Sequence, residues 1–279
     1  MSVAETTVRT IANGTELSES KLDQIEGLLA AKLDDDDLSN AMAVKHTFLA
    51  AVEEFPNINV TDLWNYGLYR SYLSLVDGSE ASARQSWRAV SGAAFEHFVV
   101  EYYNQRLPRY LRVAHVTETE VADVINSATS EGASDVVDAV VLGRYDGEWH
   151  AFAGINTLTS FKGRLRNYAA RSDSLRKAGL SSFVVTLDGH IPEATVQSRG
   201  ELGSDQESTA ANLVEEHAMF DGLFSFNDET NETTDPTSSA SIKRVGDTRF
   251  NDAFAEDVTA EWEEFVAPLM QSRSLRVDE

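Results

Sequence analysis

The sequence predicts an α/β protein, a mixed sheet with helices packed against it, preceded by an N-terminal helical unit. Three observations carry this. Residues 134–188 read, by the spacing of their apolar positions, as strand, strand, helix, strand. Before residue 78, three stretches place apolar residues at helical spacing. After residue 191, polar loops separate a short helix, a strand and a final amphipathic helix. The expected division is 1–78 for the helical unit and 79–279 for the α/β core with its C-terminal helix.

Residues 1–15 carry little pattern. From Leu17 to Leu33, the residues Leu22, Ile25, Leu28, Leu29 and Leu33 form a helical stripe, and Ser18 is placed to cap it. The acidic run Asp34–Asp37 reads as a solvated link rather than a metal site, because consecutive acids converge on one ion only through a special turn. A second helix, about Leu38–Phe55, ends before Pro56. A third takes Thr61-Asp62 as its cap and carries Leu63, Trp64, Tyr66, Leu68, Tyr69 and Tyr72. At helical spacing these aromatics belong to a core rather than to a surface that stacks on bases. Gly78 stops the helix.

Ser82–Leu107 is the longest helical signal, with Trp87, Val90, Phe95, Phe98, Val99, Tyr102 and Tyr103 on its apolar face and Glu96 close to that face. Pro108 ends it. Tyr110–Thr117 alternates loosely, as an edge strand would, and Glu118–Thr129 is polar with a weak helical stripe. Val136–Leu142 is an apolar run suited to a strand buried on both faces, with Asp138 inside it. Asp146-Gly147 is a hairpin turn, so the flanking strands should pair antiparallel. Gly163–Gly179 is a helix with Gly179 at its C-terminus, and the 180–188 strand should join beside 148–156 by a parallel crossover. Beyond the 191–208 loop, Ala210–Phe220 reads as a short helix, Asp221–Phe226 as a strand, Asn227–Ser241 as a polar loop and Ile242–Val245 as a brief basic patch. The final helix, Phe254–Met270, has Phe254, Val258, Trp262, Phe265, Val266 and Leu269 on its inner face and solvated acids outside.

Composition excludes several classes. The absence of cysteine removes disulfides, thiolate metal sites and a cysteine nucleophile. No run approaches the roughly 18 apolar residues of a membrane span, and the N-terminus has no apolar leader, so a soluble cytoplasmic protein is expected. The net charge of −23 would ordinarily argue against nucleic acid. The deficit lies in lysine, however: 6 lysines stand against 17 arginines, with Asp and Glu spread throughout. That is the composition expected of a halophilic protein, whose surface repulsion is screened in molar salt. Local clusters then weigh more than the total. The segment Lys162–Lys177 holds Lys162, Arg164, Arg166, Arg171, Arg176 and Lys177 against one acid, Asp173.

Asp138 is the puzzle of the chain. A carboxylate in an apolar strand costs several kcal/mol unless it is paired or holds a metal. It therefore either caps a turn or meets an arginine, or it binds an ion. Glu96 either reaches the same ion or pairs with Arg88 or Arg109. A lone aspartate in a strand, a second strand, and a basic turn opening a helix is the layout of metal-dependent nucleases. There is no P-loop, dinucleotide glycine fingerprint or Gly-x-Ser-x-Gly elbow, and His46, His97, His115, His150, His190 and His217 show no metal-ligand spacing.

The run Ile155-Asn156-Thr157-Leu158-Thr159-Ser160-Phe161-Lys162-Gly163-Arg164, followed by a helix with Ser172 and Leu175 and by the strand Val184–Asp188, resembles the type II restriction endonucleases of the BsaWI kind. These belong to the PD-(D/E)XK nuclease superfamily. Trp87–Glu96 resembles the family's entry helix and its glutamate, and Ser134–Asp138 its metal-aspartate strand. The resemblance covers about residues 80–190; the order of elements is specific, while the individual motifs are short and degenerate. It implies a restriction-endonuclease-like core and Mg²⁺-dependent cleavage of double-stranded DNA at a short sequence by a homodimer, within a restriction-modification system. Asp138 and Glu96 would hold the Mg²⁺, Lys162 would orient the water, and Ser160, Lys162, Arg164 and Arg166 would face the DNA.

Two departures stand out. The family's catalytic lysine falls on Leu158, and its Arg-(Asp/Glu)-Arg triplet falls on Lys162-Gly163-Arg164, where the acid is missing. Ser160-Phe161-Lys162 could serve as a Ser-x-Lys version of the motif. Lys162 lies four residues beyond Leu158, about 13 Å along a strand but about 6 Å if the chain has begun to coil, so this rescue needs an immediate bend. Without it the chain would be a catalytically degenerate DNA-binding relative. A third expectation, from another class, is an acidic helical interaction protein.

Overall fold

The computed structural model describes residues 17–55, 58–116, 137–160, 165–189, 200–202, 211, 214–215, 219–227, 229–233, 241–245 and 253–277. Three helical segments come first: α1 (Glu19–Leu33), α2 (Asn40–Glu54), and α3, which runs Val60–Asp62, passes through a π-helical stretch Leu63–Leu68 and continues Tyr69–Leu75. Ser18 caps α1 by accepting from the Lys21 N–H, as its position in the sequence suggests. The cap of α3 is Asn59, whose side chain accepts from the Asp62 N–H, rather than Thr61-Asp62. Thr61 instead donates its hydroxyl to the Leu187 carbonyl at 2.6 Å, tying α3 to the sheet. Trp64, Tyr66, Tyr69 and Tyr72 are buried, so the aromatic stripe of α3 is core.

Helix α4 (Glu80–Asn104) is capped by Ser79 and leads into β1 (Leu111–His115). β2 (Ala139–Tyr145) and β3 (Glu148–Leu158) form the expected hairpin. Asp146 and Gly147 take φ of 53° and 91°, the left-handed pair that a tight two-residue turn requires. α5 (Leu165–Lys177) and β4 (Ser181–Thr186) complete a parallel crossover, followed by β5 (Gly222–Ser225), β6 (Ser241–Arg244) and α6 (Ala253–Val277). The sheet runs in chain order, β1 to β6. β1, β2 and β3 pair antiparallel, and β3 to β6 pair parallel.

Several expectations are corrected. β2 begins at Ala139, so Asp138 lies just before the strand rather than inside it. The basic patch at 242–245 is mostly strand: Ile242, Lys243 and Arg244 pair with Leu223, Phe224 and Ser225 of β5. Leu269 is partly exposed rather than on the inner face of α6. The weak helical stripe at 118–129 lies outside the described residues.

Alternation along the strands buries the sheet on both faces. Ala139 and Val141 of β2, with Ala153 and Ile155 of β3, join the core shared with α1–α4 and α6. Val140 and Leu142 point the other way and pack with Leu175 of α5. Gly143 lets α6 approach closely, since an added Cβ there would overlap the Trp262 indole. Among the described residues, no helix is long and apolar enough to cross a membrane.

The pairing also sets out the site. His115 ends β1, Asp138 precedes β2, and Thr157 is near the end of β3. In register, Ala139 faces both His115 and Ile155, so all three residues lie at the same end of the sheet.

Candidate active site

Asp138 is fixed by its backbone first. Its N–H donates to the Ile155 carbonyl at 3.1 Å, and its carbonyl accepts from the Val116 N–H at 3.3 Å. The side chain is then held by Thr157: Oδ2 accepts the Thr157 N–H at 2.7 Å and its hydroxyl at 3.2 Å. Oδ1 faces Arg171 Nη1 of α5 at 4.0 Å. Burial pushes the Asp138 carboxyl above its ordinary range; the Thr157 N–H opposes this, the negative charge of Glu96 adds to it, and Arg171 opposes it. Glu96 of α4 and Asp138 are linked through the end of β1: Glu96 bonds the His115 ring, and the next residue, Val116, donates its N–H to the Asp138 carbonyl.

Among the described residues, Glu96 pairs with a histidine rather than with Arg88 or Arg109. Its Oε1 lies 2.7 Å from His115 Nδ1, and His115 Nε2 lies 3.0 Å from His97 Nδ1. The two rings meet edge to face at 4.6 Å. One proton arrangement satisfies the whole chain with both rings neutral: His97 donates from Nδ1 to His115 Nε2, and His115 donates from Nδ1 to Glu96. Burial, and then the neighbouring His115, hold the His97 pKa below its ordinary value, which favours that neutral state.

Leu158, where a lysine was expected by resemblance, is 2% exposed. It packs with Leu165, Val184, Leu202, Phe220 and Leu223. Asn156 is buried in the same strand; its Oδ1 accepts from Arg171 Nη1 at 3.4 Å, while its Nδ2 has no hydrogen-bond partner among the described residues. Ser160 lies just beyond β3, partly buried. Lys162 and Arg164 lie outside the described residues. Arg166 falls in the first turn of α5, but its side chain is likewise not described. Of the residues singled out in the sequence, the structure therefore places Asp138 and Glu96 at the same end of the sheet. It adds Thr157, His115, His97, Asn156 and Arg171. Arg171 was visible only as a member of a basic cluster, and His115 only as a histidine without ligand spacing.

Among the described residues, no group of three or more His, Asp or Glu side chains could hold a metal. The donor set is two carboxylates, hard oxygens suited to a small divalent cation whose remaining positions go to water and substrate phosphate. By that measure the site fits such an ion.

No protein-family model matches the chain. Type II restriction enzyme AgeI of Thalassovita gelatinovora is 30% identical over 243 residues, covering 80% of this chain and 84% of that enzyme. A crystal structure of an AgeI–DNA complex superposes with a TM-score of 0.75 at 28% identity, over 88% of this chain and 92% of that one. A BsaWI–DNA complex gives 0.49 at 18% identity, over 90% and 94%. The chain belongs to the type II restriction endonuclease family of AgeI, and is an endodeoxyribonuclease. Enzymes of this kind generally use divalent metal ions.

Proposed function

We propose that this chain hydrolyses phosphodiester bonds in double-stranded DNA at a short specific sequence, with Mg²⁺, as a homodimer in the cytoplasm of a restriction-modification host. The observation that carries the reading is that Asp138 and Glu96 stand at the same end of the sheet, each held by a dedicated hydrogen bond from elsewhere in the fold. The DNA bound in the related AgeI structure supports the substrate. Asp138 and Glu96 would hold the Mg²⁺, which when bound would supply Lewis-acid stabilisation of charge on the phosphate. Thr157 keeps the Asp138 carboxylate in one orientation, and His115 does the same for Glu96. Lys162 orients the attacking water, and Ser160, Arg164 and Arg166 face the DNA, where an arginine bidentate to guanine is the commonest specific contact. The acidic, lysine-poor surface suits work in high salt.

The test is digestion of mixed-sequence duplex DNA with Mg²⁺ in molar KCl by the wild type and by Asp138→Ala. Discrete fragments from the wild type alone are expected. If neither protein cuts, the enzymatic reading is lost, and filter retention of DNA without metal then distinguishes a binding relative from a protein that ignores DNA.

A further inference from the structure

Phosphodiester hydrolysis needs positive charge beside the phosphate, because negative charge builds on the non-bridging oxygens as water adds. Leu158 cannot supply it: its side chain is apolar and belongs to the core. The next helix brings a different cation to the same end of the sheet. Arg171 of α5 directs its guanidinium at the end of β3, with Nη1 3.4 Å from Asn156 Oδ1 and 4.0 Å from Asp138 Oδ1. Tyr168, one turn earlier, carries its ring 4.9 Å from the guanidinium carbon. Both oxygen contacts are long. One is a weak hydrogen bond and the other sits at the limit of an ion pair. Among the described residues, the group is thus aimed by its neighbours while most of its five donors stay available. Its side chain is 31% exposed, against 23% for Asp138, so the pair opens to solvent rather than being sealed in the core.

We propose that Arg171 is the phosphate-contacting cation of this active site, taking the charge role that Leu158 cannot fill. In the reaction, the oxygen of water bonds to phosphorus and an ester P–O bond breaks. The proton of the attacking water passes to solvent, and the departing oxygen takes one from solvent. Arg171 moves no proton, since a guanidinium stays charged at any working pH. It meets the phosphate oxygens with parallel N–H donors, the bidentate geometry that an ammonium lacks. The proposal rests on the nuclease reading, keeps Asp138 and Glu96 as the metal carboxylates, and leaves Lys162 its water.

The experiment compares wild type, Asp138→Ala, Arg171→Ala and Arg171→Lys on a duplex fragment that the wild type cuts. Single-turnover cleavage with Mg²⁺, binding in EDTA across a salt series, and thermal midpoints are measured. Arg171→Ala should cut at least about 100-fold more slowly. Its plot of log affinity against log salt should flatten by about 0.9, the loss of one phosphate contact, with little change in midpoint. Arg171→Lys should restore the salt slope and recover at least about tenfold of the lost rate, since the charge is kept and only the fork is lost. Cleavage by Arg171→Ala within about threefold of wild type, at an unchanged salt slope, would overturn the proposal, leaving Arg171 a mere counter-ion to Asp138. So would a loss of cleavage that comes with a collapsed midpoint and that lysine does not rescue. If the wild type itself cuts nothing, the nuclease reading fails first and this one with it, a result told apart by the wild-type lane alone.

Discussion

Thr157 holds Asp138 by two donors on one oxygen, its N–H at 2.7 Å and its hydroxyl at 3.2 Å, and so leaves Oδ1 turned toward Arg171. The backbone bond survives a valine at 157, while the hydroxyl bond does not. Thr157→Val keeps the shape of the side chain and removes only that hydroxyl. A net hydrogen bond to a charged group contributes about 1.5–3 kcal/mol, and the longer of the two should sit at or below the bottom of that range. The variant should therefore lose about 1 kcal/mol of stability and cut several-fold more slowly at subsaturating Mg²⁺. Urea unfolding and a metal titration of the cleavage rate check both; an unchanged metal requirement would show that the hydroxyl does not orient the carboxylate.

The chain His97–His115–Glu96 predicts a graded pair of effects. His115 is the middle member, so His115→Phe leaves both Glu96 and His97 without their partner. His97→Phe removes only the outer bond. Stranding a half-buried polar group costs about 1–3 kcal/mol. His115→Phe should lower stability by that order and slow cleavage at least about tenfold, while His97→Phe should do less of both. Equal effects from the two substitutions would mean that the rings matter as packing and not as a relay that positions Glu96.

Much of this arrangement was legible in the sequence, and the failures share one physical cause. Local patterns were readable: the Asp146-Gly147 turn gave the β2–β3 hairpin, Gly179 the end of α5, and the apolar runs a sheet buried on both faces. What escaped depends on partners far along the chain. β6 contains a single buried apolar residue, Ile242, and is a strand because β5 pairs with it. Asn59 and Thr61 are both good cap residues by type, and the sheet decides between them, since the Thr61 hydroxyl is taken by Leu187. Glu96 could not be matched to His115 by any helical or strand spacing, because the two meet only when α4 lies along β1. Arg171 was one of six basic residues, and only the docking of α5 shows that it turns toward Asp138.

Leu158 invites an obvious repair that the structure argues against. Restoring a lysine there would place an ammonium among Leu165, Val184, Leu202 and Phe220, at a position 2% exposed. Burying an unpaired charge costs several kcal/mol even after relaxation. Leu158→Lys should accordingly lower stability by at least about 3 kcal/mol and should not raise the rate of cleavage. Denaturant unfolding with single-turnover kinetics checks this; a faster enzyme of ordinary stability would show that the side chain can leave the core for the site.

Asp188 gives a pH dependence whose sign can be worked out away from the active site. Its Oδ1 accepts the N–H groups of Glu201 and Leu202 at 2.8 and 3.0 Å, and its Oδ2 accepts the Thr230 hydroxyl at 2.6 Å. Burial nonetheless dominates those bonds and pushes the carboxyl from 3.8 up to about 6. A folded pKa above the unfolded one means that the native state binds the proton more tightly. The stability this contributes is fully present below pH 3.8 and is lost as pH rises through 6. A difference of about two pKa units corresponds to about 3 kcal/mol. Asp188→Asn removes the titration and tolerates the backbone, whose φ of 44° is one that asparagine adopts readily. Its Oδ1 can keep both backbone donors while Nδ2 donates to the Thr230 hydroxyl. Unfolding measured for both proteins from pH 4 to 7 should show the wild type losing about 2 kcal/mol relative to the variant as pH rises, the part of the full difference that falls in that window, with the other carboxylates cancelling in the difference. A constant gap between the two proteins across that range would mean that Asp188 stays ionised throughout and that its three donors, rather than its burial, set its charge.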